Sequence, residues 1–238
     1  MYLRISRAAA LALVSFLFAA PAFAALSTGE QKRLTDAAGV VSAIRNADNG
    51  IPEDLWQKAA CVIVIPDMKK AAFIVGGEYG KGVMSCRTAN GWSSPVFMEL
   101  EKGSWGFQAG AEEIDLVLLV TDQAAAAKML NNKVSLGADA SVAAGPVGRA
   151  ASASTTGTLA TVLSYSRSKG LFGGINLSGG ALKADKDSNT DVYGEELPEH
   201  VLNSGPSKLQ AAAALVNTLG ESPRATSGTK TPSTTDAR

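Results

Sequence analysis

Histidine is nearly missing from this chain, which holds only His200. Cysteine is almost as scarce, with Cys61 and Cys86 alone. Those shortages remove much catalytic chemistry. A Ser-His-Asp triad would have one possible base, and no G-x-S-x-G elbow surrounds any serine. His200 follows Pro198-Glu199 at an expected helix start, which suits a surface or capping role. Two cysteines and one histidine, widely spaced, do not make a zinc site. An excess of one charge is lacking too. The 22 Lys+Arg balance 22 Asp+Glu, so no global basic field argues for nucleic acid. The acidic pairs Glu112-Glu113 and Glu99/Glu101 read as solvated hairpin edges, without a cleft to raise a pKa. No nucleophile, base and orienting group come together, so the expectation is a protein that is not an enzyme and needs no cofactor.

The N-terminus carries what the rest lacks, a long apolar run. Arg4 and Arg7 precede the apolar stretch from Ala8 to Ala20, and Ala22-Phe23-Ala24 has the small-x-small form of a cleavage site. This pattern is a secretory signal peptide over 1–24. The stretch is shorter than the roughly 20 residues a spanning helix needs, so cleavage is expected over a retained anchor. No cysteine follows it closely, which argues against lipoprotein processing. The expected mature protein is exported, in a periplasm or at the envelope. Its domain covers 25–220, and 221–238, rich in Ser, Thr and Pro, is expected to be a disordered tail. In an oxidising compartment Cys61 and Cys86 either pair or sit as two buried thiols in adjacent strands, and the sequence leaves both readings open.

Periodicity then orders the elements. Leu34, Ala37, Ala38, Val41 and Ile44 recur every three or four residues, predicting a helix over 28–46 with Thr28 and Gln31 at capping-box spacing. Pro52 opens a short second helix. "CVIVIP" (61–66) and "IDLVLLV" (114–120) are continuous apolar runs, expected as strands covered on both faces. Asp67-Met68-Lys69-Lys70, Gly80-Lys81-Gly82, Asn90-Gly91 and Lys102-Gly103-Ser104 read as turns between further strands. Thr121 or Asp122 caps an alanine-rich helix ending near Asn131. "VSLGADASVAAGPVG", "ATVLSYSRSK" and "GINLSGGALKAD" read as strands. A last amphipathic helix is expected over 206–219, with Leu209, Ala213 and Val216 on one face. Many short strands at hairpin spacing, with helices at the ends and one in the middle, predict an α+β fold. Its core is a strongly curved, mostly antiparallel sheet or a barrel-like one.

Two motifs come close to chemistry. Gly174 to Gly179 has the spacing of the first two P-loop glycines, but Gly180 and Ala181 stand where Lys and Ser/Thr are required. The stretch "SKGLFGGINLSGG" (168–180) therefore reads as packing glycines. "DKDSNTDVYGEE" (185–196) puts Asp185, Asp187, Asn189, Asp191 and Glu196 at calcium-loop positions, but Thr190 replaces the usual Gly. A solvated acidic loop is the competing reading. What is left is local positive charge beside glycine turns: Lys32 and Arg33 on the first helix, then Lys69, Lys70, Lys81, Arg149, Arg167 and Lys169. Turn N–H groups with Lys or Arg beside them suit phosphate.

"GGEYGKGVMSCR", "GWSSPVFMELEKGSWGFQAGAEEIDLVLLV", "LGADASVAAGPVGR", "SYSRSKGLFGGINLSGG" and "DSNTDVYG" occur in that order. Together they closely resemble the SYLF domain, called an actin-binding domain in some eukaryotic proteins, from about Thr28 to Leu219. The resemblance implies a lipid-binding module. Eukaryotic relatives bind phosphoinositides and in some cases actin, usually beside SH3 or FYVE domains. It implies that the helix at 28–46 matches an N-terminal amphipathic segment implicated in membrane attachment, and it brings no catalytic residues. Export removes the chain from actin, which leaves anionic phospholipid headgroups as the expected partner. The competing expectations are a structural or protein-interaction domain of the periplasm, and a calcium-dependent module built on 185–196.

Overall fold

The computed structural model describes residues 26–72, 75–105, 110–148, 160–194 and 197–220. The expected signal peptide, Arg149, Glu196 and the tail 221–238 lie outside them. Among the described residues, six α-helices and ten strands follow in the order α1 (Thr28–Asn46), α2 (Glu53–Lys58), β1 (Cys61–Ala72), β2 (Val75–Thr88), β3 (Gly91–Trp92), β4 (Val96–Trp105), β5 (Gly110–Val120), α3 (Gln123–Asn131), β6 (Val134–Ser135), β7 (Val142–Ala144), β8 (Val162–Ser168), β9 (Leu171–Gly174), β10 (Gly180–Ala184), α4 (Lys186–Tyr193), α5 (Pro198–Asn203) and α6 (Ala213–Leu219), with a 3-10 turn at Gln210–Ala212 leading into α6.

One sheet carries the architecture. Its main path is β6-β10-β4-β2-β1-β5-β8-β7, with β3 on β2 and β9 on β8. Every pairing is antiparallel except β7 with β8. Val134 from one end of the path and Val162 from near the other fall in a single buried cluster with Ile63, Met84 and Leu118, so the sheet curls around it as a half-barrel. The opposite face of the central strands, with Val62, Val64, Phe97, Val117 and Leu163, is covered by α1, α2 and α6. This is the expected α+β architecture, and both apolar runs are buried on both faces because each separates these two cores. Among the described residues no helix is long and apolar enough to cross a membrane.

Local readings shift in informative ways. α1 spans the predicted residues, but its cap is Ser27. The Ser27 hydroxyl accepts from Glu30 N–H and the Glu30 carboxylate accepts from Ser27 N–H, while Gln31 N–H already donates to the Ser27 carbonyl. Asn90-Gly91 turns as expected, and Asp122 is the cap of α3. Three expected turns are strand instead: 67–70 lies in β1, 80–82 in β2 and 102–104 in β4. The last helix starts later than expected, because Pro206 bridges Ser93 and Ser207 N–H donates to the Trp92 carbonyl. Its buried face is Ala212, Leu215 and Leu219, with Ala213 exposed. Cys61 and Cys86 are directly opposed in β1 and β2 and are joined as a disulfide.

Candidate functional site

β1 holds one more residue than either neighbour between Val64 and Lys69. This bulge centres on Asp67, whose φ is +49° and whose N–H donates to the Asp115 carboxylate at 3.1 Å. It turns Ile65 and Met68 both inward, and the next residue, Lys69, outward. Gly80 and Gly82 of β2 lie against it. A Cβ on Gly82 would stand 2.1 Å from the Val64 carbonyl oxygen, and one on Gly80 would stand 2.5 Å from Ile65. Lys81, between them, points to the helix-covered face. The glycines thus let β2 close on the kinked β1 and leave a cation at the rim.

The bulge, β2 and the exposed side of α1 enclose a groove of about 350 Å³ lined by Lys32, Arg33, Asp36, Asp67, Lys69, Tyr79 and Lys81. Arg33 and Lys81 share the Asp185 carboxylate, 4% exposed, at 3.0 Å and 2.8 Å, and Asp185 itself lines the neighbouring groove. The Arg33 guanidinium also lies 5.3 Å over the Phe97 ring. Asp185 caps α4 and accepts from the Ser188 hydroxyl at 2.8 Å. Burial opposes its charge, but Lys81 and Ser188 outweigh that and hold the carboxyl below its ordinary 3.8. Lys32 is largely exposed and pairs with Asp36 and, at 3.6 Å, with Asp67. Hydrogen bonding to Asp36 raises its pKa. Lys69 is exposed and makes no ion pair among the described residues.

Beyond Lys81 a second groove, of about 620 Å³, is lined by Tyr79, Lys133, Lys183 and Asp187. Here charge is cancelled across strands. Lys183 pairs with Glu99 and Glu101 at 3.0 Å each, Lys133 pairs with Glu101 at 3.0 Å, and the Tyr79 hydroxyl donates to Glu99 at 3.0 Å. Burial, together with the Glu99 bond, pushes the Tyr79 phenol up to about 12. Bonds from Lys133 and Lys183 hold Glu101 below its ordinary value.

Of the eight cations named from the sequence, the structure gathers Lys32, Arg33, Lys69 and Lys81 in one groove. Lys70 points to the inner face of the sheet and pairs with Glu78, which Lys102 also approaches at 3.7 Å. Arg167 is bonded to Asp115 at 2.7 Å, and Lys169 sits in the β8–β9 turn. Arg149 lies outside the described residues. The described residues of the 185–196 segment, 185–194, are a helix with its caps, not a loop. Side chains at alternate positions of a helix point to opposite sides and cannot converge on one cation. Asp185 is committed to Arg33 and Lys81, and the Asn189 amide is bonded to Phe97 N–H and carbonyl. Among the described residues no cluster of acids, histidines or cysteines could hold a metal. His200 is exposed on α5. The sequence missed the roles of Asp36, Asp67 and Tyr79. Only Tyr79, two positions before Lys81 on the same strand face, had a local signal.

Residues 101–222 match the family model described as "Ysc84: Las17-binding protein actin regulator". The chain is 33% identical over 172 residues, 70% of its length, to protein YSC84 of Saccharomyces cerevisiae. It is 34% identical over 164 residues to LAS seventeen-binding protein 3 of the same yeast, and 32% identical over 159 residues to SH3 domain-containing YSC84-like protein 1 of Xenopus laevis. It spans 36% of each of these yeast proteins and 47% of the frog protein. The described residues of the motifs from 76 to 180 lie on or between the strands of the half-barrel, with "DSNTDVYG" on α4, and by the family match the chain belongs to the Ysc84 family, the family of SYLF domains.

Proposed function

We propose that this chain is a non-enzymatic binding module of the cell envelope whose first groove receives the phosphates of anionic phospholipid headgroups. The observation that carries this reading is the sharing of one buried carboxylate, Asp185, by two cations, Arg33 and Lys81. Lys69 adds a cation without an ion pair among the described residues. Lys32, Arg33, Lys69 and Lys81 thus outnumber Asp36, Asp67 and Asp185 at this rim. A phosphate entering the groove meets donors already held in place, so little ordering entropy is lost on binding. The apolar face of α1 plays no part here: Leu34, Ala37, Val41 and Ile44 are buried against the sheet and α6. Only the charged side of α1 is offered to a membrane. Export is part of the proposal, resting on the signal sequence at 1–24.

A second reading follows from the relatives. LAS seventeen-binding protein 3 is named for a protein partner, and the same groove would suit an acidic segment of a protein. Sedimentation of the mature chain with phosphatidylglycerol vesicles, against pure phosphatidylcholine, separates the two. Binding to the anionic vesicles should weaken steadily as salt rises, and Lys69→Ala should weaken it about fivefold, the worth of one cation near such a surface. No binding at low salt, with capture of a stoichiometric protein partner instead, rejects the lipid reading.

A further inference from the structure

The second groove, of about 620 Å³, is larger than the first, and the headgroup reading leaves it without an occupant. Its floor is the outer face of β2, β4 and β10. Lys81, Glu99 and Lys183 are directly opposed there, one from each strand, in a row of alternating charge. Tyr79 and Glu101 are opposed in the next row. The end of α3, with Asn131 and Asn132, and the first turn of α4, with Lys186 and Asp187, complete the lining. Each charge on the floor is held by another. Lys183 lies 3.0 Å from both Glu99 and Glu101, Lys133 lies 3.0 Å from Glu101, and Lys81 lies 2.8 Å from Asp185. Counting Glu101, the cations Lys81, Lys133, Lys183 and Lys186 are matched one for one by Glu99, Glu101, Asp185 and Asp187.

A balanced groove offers no net attraction to an ion of either sign, so it favours a neutral partner. It still presents ammonium donors and carboxylate lone pairs side by side and fixed in place. A hydroxyl donates and accepts through one atom without carrying charge, so it can bridge such a pair. Neighbouring strands lie about 4.8 Å apart, so a ring bearing several hydroxyls can meet two strands at once. Tyr79 adds what a plain ion-pair surface lacks. It lines the groove and is 42% exposed, and its hydroxyl is tied to Glu99 at 3.0 Å, which holds the ring in place. Two residues further along the same faces, Gly77 opposes Gly103, and nothing stands within 4 Å of a Cβ on Gly103. A ligand resting on the Tyr79 ring therefore meets no side chain of β2 or β4 at that next row. A sugar ring has an apolar C–H face and an edge of hydroxyls. An aromatic ring beside fixed polar pairs complements both.

We propose that the second groove is a binding site for a neutral saccharide, with Tyr79 against the face of the sugar ring and the Lys81–Glu99–Lys183 row bonded to its hydroxyls. The inference goes beyond the headgroup reading and does not depend on it, since it involves no phosphate. The sugar is either a free glycan or the head of a glycolipid, and two probes tell these apart. With the full mature chain, saturation-transfer NMR should detect maltose, lactose or N,N′-diacetylchitobiose, or vesicles of digalactosyldiacylglycerol in phosphatidylcholine should sediment the protein where pure phosphatidylcholine does not. A signal from a soluble sugar assigns a free glycan, and binding to the vesicles alone assigns a glycolipid head. Tyr79→Ala should weaken the binding about tenfold. Tyr79→Phe keeps the ring and should weaken it about threefold. Because the side chain is half exposed, circular dichroism melts of both variants should stay close to wild type. Added salt should leave sugar binding unchanged, in contrast to binding of phosphatidylglycerol vesicles. If none of these sugar probes binds, or Tyr79→Ala binds like wild type, the groove is a solvated ion-pair surface and the proposal falls, with the headgroup reading untouched. If sugar binding drops steeply with salt, the ligand is held by charge and the neutral assignment is rejected. If sugars bind and phosphatidylglycerol vesicles do not, the saccharide site stands and the headgroup reading falls alone.

Discussion

Asp185 decides most at the scale of single residues. Its carboxylate joins α1, β2 and α4 through Arg33, Lys81 and Ser188. Removing one member of a buried ion cluster leaves the others uncompensated, so Asp185→Asn should cost about 3 kcal/mol in denaturant unfolding. The pH dependence has a definite sign. The folded carboxyl titrates below the ordinary 3.8. A depressed folded pKa adds stability that is present above the unfolded value and lost as pH falls through the folded one. Wild type should therefore lose stability between about pH 5 and pH 2 more steeply than Asp185→Asn, and parallel slopes for the two proteins would refute the assignment. The cations of the groove were legible from the sequence because each stands beside a glycine, at a helix start or, for Lys69, in a turn-like polar run. Their partners were not. Arg33 is 152 positions from Asp185 and Lys81 is 104 positions from it, and no local pattern reports contacts at such separations. The acidic run at 185–191 was noticed, but for a cation that the protein supplies from its own side chains.

Glycines explain both what the element reading missed and how to test the correction. Gly80-Lys81-Gly82 and Lys102-Gly103-Ser104 look alike as turn signals, yet both lie inside strands. They are there for different reasons. Gly82 faces the β1 bulge, where a Cβ would meet backbone at 2.1 Å, whereas nothing stands within 4 Å of a Cβ on Gly103. Gly82→Ala should cost about 2–3 kcal/mol by overpacking, while Gly103→Ala should be neutral or stabilise by about 0.5 kcal/mol through the unfolded chain. Equal effects of the two substitutions on thermal unfolding would mean that the bulge does not hold β1 and β2 as described. Hydrophobic period found β1, β5 and α1, because period depends only on neighbours along the chain, and it missed α4, where large apolar residues are few. A bulge depends on the strand opposite, so turn chemistry alone misplaced the corners.

For the whole molecule, the curved α+β sheet was legible because two doubly buried runs amid many short strands leave few other arrangements. Cys61 and Cys86 were left open, since their pairing needs the register of β1 on β2. The bond closes a loop with a sequence separation of 25. Replacing both cysteines by alanine should therefore cost about 3.5 kcal/mol, and adding reductant to wild type should reproduce most of that loss. The last consequence concerns α1. An amphipathic helix at a chain start invites the reading that it detaches and enters a membrane. In this fold, Leu34, Val40, Val41 and Ile44 are all at most 3% exposed, packed with α6 and the sheet. Burying four such side chains is worth about 8 kcal/mol, comparable to the whole stability of a domain of this size. A chain starting after residue 46 should therefore fail to unfold cooperatively on heating and should expose its helix-covered core to a dye such as ANS. Loss of vesicle binding in that truncation would then report lost folding, and the role of α1 in docking has to be read from Lys32→Ala. If the truncated chain instead melts sharply near the wild-type temperature, α1 is not part of the core, and its apolar face is free for a membrane after all.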